Sequence, residues 1–293
     1  MTRHQANAVL LLAGALWGMG FVAQSTAMEA IGPFTFIALR FLVATLAMLP
    51  FAVWEGRRAT PVVARHQWRQ FAVIGILLFA AIATQQVGLM TTSVTNSGFL
   101  TGLYVVMVPL LAVGLFREWP HRVVWPASLS ALAGIFMLSG GNMERLTTGD
   151  WLTILCALFC ALQMIFIARF VGDSGRPVTL AVTQFAVCAG LGFAVALPLE
   201  PFETGPILQA LPEVLYAGIV SGGIAFTLQV IGQRYTTASQ AALFLSTEAV
   251  FAALFGAILL GERLPPIGLA GCALIFAAIL SVEIVPNRQR VSP

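Results

Sequence analysis

Ten apolar runs, each close to 20 residues long and bounded by Pro, Gly or charge, leave this chain one solvent to fold in, and that solvent is lipid. The runs cover residues 7–27, 33–54, 70–90, 96–116, 123–141, 151–171, 178–199, 213–233, 239–260 and 266–285. Each is longer than a buried core strand, and none alternates apolar with polar as a β-barrel strand does. At 1.5 Å per residue, about 20 residues cross a hydrocarbon core of about 30 Å, so the runs predict spanning helices. Ten such helices would take up about 210 residues and leave no room for a separate soluble domain. The first run does not read as a cleavable signal, because it is span-length and nine more follow it.

Charge is scarce to match. Only 9% of the 293 residues are charged, against about 25% in a soluble domain. A chain so poor in charge cannot cover a water-facing surface, which excludes a water-soluble enzyme and a disordered chain. The net charge of +3 comes from scattered arginines and makes no nucleic-acid surface. Cys156, Cys160, Cys188 and Cys272 lie inside apolar runs and read as small hydrophobes; no His stands near Cys156 and Cys160, so no metal site is expected. His4, His66 and His121 fall in connections and read as solvated groups. The chain has no P-loop, no HExxH, no Gly-x-Ser-x-Gly elbow and no glycine-rich dinucleotide fingerprint, so no cofactor and no catalysis are expected.

The arginines orient the spans. With the N-terminus in the cytoplasm, Arg3, Arg57, Arg58, Arg65, Arg69, Arg117, Arg122, Arg169, Arg176, Arg234, Arg288 and Arg290 fall inside, whereas only Arg145 and Arg263 fall outside. The asymmetry obeys the positive-inside rule and predicts both termini in the cytoplasm. A missed span would shift every later loop across the membrane and blur it.

The two halves repeat. Pro33-Phe34-Thr35-Phe36 matches Pro177-Val178-Thr179-Leu180, Ala15-Leu16-Trp17 matches Ala157-Leu158-Phe159, and Thr91-Thr92 … Phe99-Leu100 matches Thr236-Thr237 … Phe244-Leu245, in order, at offsets of 142–145. Five spans per half is odd, so the second copy, residues 146–293, would enter the membrane opposite to the first, residues 1–145.

Two charges fall deep within runs, Arg40 in the second and Glu248 in the ninth. A charge there costs several kcal/mol unless it finds a partner, water or a function. Glu248 could bind a proton, a substrate ammonium or an arginine; Arg40 could serve a site or reach as an anchor toward the outer interface. Uncharged polar residues recur at helical spacing: Ser97, Thr101 and Tyr104; Gly218, Gly222, Ala225 and Gln229; Trp17 and Gln24. Gln85, Gln86, Gln163 and Gln184 also lie within runs. Buried amides in lipid need partners or water, so these residues predict a central polar cavity, with helix packing as the other role open to each. Gly14/Gly18, Gly98/Gly102 and Gly218/Gly222 fit the spacing that lets helices approach closely.

Leu16-Trp17-Gly18, then Pro33 … Phe36 … Arg40-Phe41, then Leu245-Ser246-Thr247-Glu248-Ala249-Val250, and the ending Leu260-Gly261-Glu262-Arg263 resemble the drug/metabolite transporter superfamily, in particular its EamA-like members. The family usually has Pro where Ala249 stands. The resemblance implies a ten-helix bundle of two inverted five-helix repeats. Helices one, three, four, six, eight and nine would surround a cavity, with five and ten peripheral. It implies a bacterial inner-membrane protein that exports or exchanges small metabolites, and the aromatic and broad-specificity amino-acid exporters are the members it is most similar to. Their cavity is expected to hold aromatic and amide side chains rather than a fixed charge pair, a role that Trp17, Tyr104, Gln85, Gln163 and Gln229 would suit.

The reading is therefore an alternating-access exporter of amino acids or similar small metabolites. Its expected substrate-binding residues are Trp17, Gln24, Gln85, Gln86, Ser97, Thr101, Tyr104, Gln163, Gln184, Gln229 and Glu248. Proton coupling through Glu248 and facilitated diffusion both fit. Sugar phosphates or nucleotide sugars would want several cavity cations, and Arg40 alone is available. Drug efflux, a membrane enzyme and a channel are the other classes weighed. The oligomeric state stays open, a monomer included.

Overall fold

The computed structural model describes residues 1–58, 62–92, 94–139, 141, 146–259 and 266–284, and every regular element among them is helical. Arg145, Arg263, Arg288, Arg290 and the ending Leu260-Gly261-Glu262-Arg263 lie outside the described residues. The first half contains α1 (Arg3–Ala27), α2 (Pro33–Arg58), α3 (Arg65–Gly88), the short helices α4 (Val94–Thr101) and α5 (Tyr104–Phe116), and α6 (Val124–Leu138). The second contains α7 (Thr148–Ser174), α8 (Pro177–Leu199), short α9 (Thr204–Gln209) and α10 (Leu211–Tyr216), a π-helical segment (Ala217–Ala225), α11 (Phe226–Gln233), α12 (Ala238–Leu245), α13 (Thr247–Leu259) and α14 (Pro266–Ile284). Among the described residues, eight stretches are long and apolar enough to cross a membrane: α2, α3, Ser97–Phe116, α7, α8, Leu211–Gln233, Ala238–Phe255 and α14. The 15 residues of α6 form a shorter apolar helix, and α1 runs for 25 residues. Large apolar side chains such as Leu46, Ile76, Leu110, Leu129 and Leu280 point outward, the arrangement of a protein whose surroundings are hydrocarbon.

Residues 144 or 145 apart do the same work at the helix starts. Thr2 caps α1 and exchanges bonds with Gln5: Gln5 N donates to Thr2 Oγ1 at 3.3 Å and Thr2 N donates to Gln5 Oε1 at 2.9 Å. Thr147 and Asp150 make the same box at α7, at 3.2 and 2.7 Å. Each box satisfies two backbone donors that a helix start leaves without partners.

The starts of α2 and α8 are closed reciprocally. Both begin with proline, whose missing N–H leaves the next two amides to be satisfied. At α2, Phe34 N and Thr35 N donate to the two oxygens of Glu200 at 2.9 and 2.7 Å. At α8, Val178 N and Thr179 N donate to the two oxygens of Glu55 at 3.1 and 2.8 Å, and Thr179 Oγ1 adds a bond of 2.7 Å. Glu55 lies near the end of α2 and Glu200 just past the end of α8, so the two helices run antiparallel and each ends on a carboxylate that caps the other. Negative charge at a helix N-terminus is favoured by the helix dipole. A Cβ at Gly32 would collide with the Glu200 carboxyl, so the absence of a side chain there lets the cap seat.

Two spans are interrupted at matching places. Between α4 and α5, Leu103 N bonds Leu100 O and Val105 N bonds Gly102 O at 3.2 and 3.1 Å, the tighter i→i+3 pattern. Between α12 and α13, Ser246 Oγ bonds Leu243 O and Thr247 Oγ1 bonds Phe244 O, both at 2.7 Å; such hydroxyls compete with the backbone ladder. The face read for Ser97, Thr101 and Tyr104 therefore passes through a break rather than along one straight helix.

The start of α1 meets the end of α14. Asn7 Nδ2 donates to Glu283 Oε2 at 2.5 Å, Arg3 Nη2 donates to Val282 O at 2.8 Å, and His4 pairs with Glu283. His4, read as a solvated group, thus has a surface partner.

Removing either reciprocal cap is expected to cost about 1–2 kcal/mol. Glu55→Ala and Glu200→Ala should each lower the thermal midpoint of the detergent-purified protein by several degrees. Unchanged midpoints in both would show that the caps carry no stability.

Candidate functional site

A cavity of about 70 Å³ lies where the two halves meet, several times the roughly 10–15 Å³ that one water requires. α1 contributes Trp17 and Gln24, α2 contributes Arg40, and α3 contributes Leu78, Ala81, Ile82 and Gln85. Thr101 and Tyr104 flank the α4–α5 break. From the second half come Cys160, Gln163 and Met164 of α7, Ser221 of the π segment, Phe226 and Gln229 of α11, and Glu248 of α13. None of the lining residues belongs to α6, α8 or α14.

Of the residues expected from the sequence, Trp17, Gln24, Gln85, Thr101, Tyr104, Gln163, Gln229 and Glu248 line this space, together with Arg40. Gln86, Ser97 and Gln184 are fully buried outside the lining. Gln184 still touches the site: Gln163 Nε2 donates to Gln184 Oε1 at 3.1 Å, and Gln229 Nε2 donates to Gln163 Oε1 at 3.4 Å. The result is a chain of three amides ending at the cavity wall, with Gln229 Oε1 unpartnered. Gln85 Nε2 donates to Thr101 Oγ1 at 3.0 Å.

Arg40 does not reach outward as an anchor. It is 1% exposed, donates from Nη1 to Gln24 Oε1 at 3.0 Å, and keeps its buried Nε without a partner. Its guanidinium lies 4.8 Å from the centre of the Phe41 ring and 5.5 Å from that of Phe36, contacts that attract a cation. Glu248, in the first turn of α13, accepts from Tyr104 OH at 3.3 Å. Tyr104 and Glu248 stand 144 residues apart, so equivalent places after the two breaks meet in the cavity wall. No ion pair among the described residues includes Arg40 or Glu248.

The sequence reading missed Ser221, Phe226, Cys160, Met164 and the α3 apolar wall. The π segment is what brings Ser221 in: Trp17 Nε1 donates to Ser221 O at 3.0 Å, and Trp17 also packs on Phe226 with centroids 4.6 Å apart. π turns collect at functional sites, but no side-chain pattern marks one in advance, so the sequence held no signal for Ser221.

Glycine sets how near Glu248 sits to α1. A Cβ at Gly18 would lie 2.6 Å from Ala252 N and 2.7 Å from Glu248 O, and one at Gly14 would lie 2.6 Å from Thr247 Oγ1. α1 and α13 therefore touch backbone to backbone. Gly98, by contrast, has nothing near its would-be Cβ. Gly18→Ala is expected to push α13 away at a cost of about 1–3 kcal/mol, read as a lower thermal midpoint and poorer folded yield, whereas Gly98→Ala should leave both nearly unchanged. Equal behaviour of the two would show that the α1–α13 approach is not tight.

The sequence profile of the EamA-like transporter family matches residues 5–140 and again residues 147–283. An uncharacterized transporter of Archaeoglobus fulgidus is 31% identical over 96% of this chain and 87% of its own length. The uncharacterized inner membrane transporter YedA of Escherichia coli K12 is 27% identical over 95% of this chain and 92% of its own. A protein of Streptantibioticus cattleyicolor named "Probable terminal-alkyne amino-acid exporter" is 25% identical over 97% and 95%. One solved crystal structure superposes with a TM-score of 0.81 at 20% identity, covering 98% of this chain and 99% of that one, a likeness of fold.

Proposed function

Because the chain belongs to the EamA-like transporter family, we propose that it is an exporter of amino acids or similar small polar metabolites that works by alternating access. The observation that carries this reading is the cavity wall, which combines the amides of Gln24, Gln85, Gln163 and Gln229 with the rings of Trp17, Tyr104 and Phe226. A zwitterion leaving water needs hydrogen bonds at both ends, and amides supply donors and acceptors without imposing one sign of charge. Aromatic rings and Met164 tolerate many side chains, so selection is loose. The relative named as an amino-acid exporter supports the same substrate class.

The architecture we propose is ten spans in two inverted five-helix repeats, residues 1–145 and 146–293, in a bacterial inner membrane with both termini cytoplasmic. The reciprocal caps at an offset of 145 and the matching breaks after Thr101 and Leu245 support it. So does the meeting of α1's start with α14's end, which requires an even number of spans. The two repeats would rock about the cavity and close one face at a time. Sugar phosphates and nucleotide sugars fit less well, because Arg40 is the single arginine that the described residues place in the wall and polyanions call for several.

Purified protein in liposomes is expected to move labelled amino acids faster than protein-free liposomes do; equal rates across the amino acids would overturn the reading. Gln163→Ala, which removes the middle of the amide chain, should slow that transport about fivefold, the worth of one lost hydrogen bond. Repeating the assay with and without a pH gradient separates proton coupling from facilitated diffusion.

A further inference from the structure

Burying two opposite charges in one cavity without pairing them is costly, and the cost calls for an occupant. Isolated ions inside a membrane protein require partners or water. Arg40 has a neutral amide on Nη1, two aromatic faces, and a buried Nε with no acceptor. Glu248 has one phenol hydroxyl, from Tyr104, on Oε1. Both line the same cavity, and no ion pair of the described residues uses either. Arginine and glutamate that only stabilised the bundle would gain most from an ion pair with each other or with a charged neighbour, and among the described residues neither has one.

We propose that Arg40 is the carboxylate subsite and Glu248 the ammonium subsite of this cavity, so that the cargo is recognised by one charge at each end. This rests on the amino-acid reading above and sharpens it from amides without sign to a defined polarity. The guanidinium fork presents parallel N–H donors that match a carboxylate, and its buried Nε carries a hydrogen that no protein group accepts. Glu248 stands in the first turn of α13, where the helix dipole favours negative charge, and so offers an acceptor to an ammonium group. The bound zwitterion neutralises both groups and leaves the cavity net neutral. An occupant with only one charge leaves the other buried and unpaired, which is why the site discriminates.

Matched ligands read this directly. L-valine, L-threonine and L-phenylalanine are compared with their amides, which keep the ammonium and lose the carboxylate charge, and with their N-acetyl derivatives, which do the reverse. Competition against labelled amino acid in liposomes, and ligand-induced thermal shift in detergent, are measured together. The wild type should prefer each amino acid at least tenfold over both derivatives. Arg40→Gln should erase the preference over the amides and keep that over the N-acetyl compounds; Glu248→Gln should do the opposite. A merely structural role would lower all three ligands together. Arg40→Lys and Glu248→Asp, which keep the charges, should retain part of the preference, and the wild-type comparison stands alone if a variant fails to fold. Amino acids moving no better than their derivatives in the wild type would overturn the polarity and leave the amino-acid reading intact. No amino acid moving or binding at all would overturn both.

Discussion

Lipid offers no hydrogen bonds, so the backbone groups that a helix leaves open must find protein or interfacial water. The α2–α8 pair solves that constraint with two carboxylates. Glu200 closes the start of α2, Glu55 closes the start of α8, and each sits at the far end of the helix whose partner it caps. The pairing fixes the antiparallel register of the two helices. From that register follows the position of Arg40, two turns into α2, and of Phe41 and Phe185, whose rings lie 6.0 Å apart at the same offset of 144. Of this pair, α2 brings Arg40 into the cavity wall, while α8 stays outside the lining.

The same constraint explains where the regular helices stop. Breaks after Thr101 and Leu245 free backbone groups, and the structure reuses them locally, through i→i+3 bonds on one side and through the Ser246 and Thr247 hydroxyls on the other. Within the π segment the Ser221 carbonyl accepts a bond from the Trp17 indole. Irregular backbone at membrane depth is tolerated where it lines a cavity or is covered by protein, and all three interruptions border the cavity. Small residues do the rest: Gly14 and Gly18 let α1 lie on α13 directly behind Glu248, and Gly134 and Gly271 do the same for α6 and α14.

Much of this was legible in the residues. Apolar length predicts the helices, because the physics that sets span length is one-dimensional. Pro33 and Pro177 mark equivalent starts because proline fits the first helical position in both. Arg40 and Glu248 stand out because charge in an apolar run is expensive wherever it occurs. What could not be read depends on three-dimensional neighbours. Glu55 and Glu200 look like ordinary interface carboxylates until the partner helix is seen beneath them. Gln86 carries the same amide as Gln85 yet falls outside the lining, since a step of one residue turns a helical side chain by about 100°, and Gln184 stands behind Gln163 on α8, a helix that contributes nothing to the lining. The break between Thr101 and Tyr104 is hidden because Gly102 alone is compatible with a continuous helix.

Scarcity of charge is what ties the fold to the cargo. Among the described residues, the chain spends its few ionised groups at helix ends, where Glu55, Glu200, Asp150 and Glu283 each close backbone or join two helices, and places only Arg40 and Glu248 in the cavity wall. One charge of each sign in a small, amide-lined space is a poor match for a polyanion, which would leave Glu248 facing like charge, and for a fully apolar drug, which would bury both ions without relief. A small solute that carries both signs is the occupant for which neither group is left uncompensated. On the proposed reading, the electrostatics of the wall would select on net charge and polarity, while the rings of Trp17 and Phe226 would leave the side chain almost unselected.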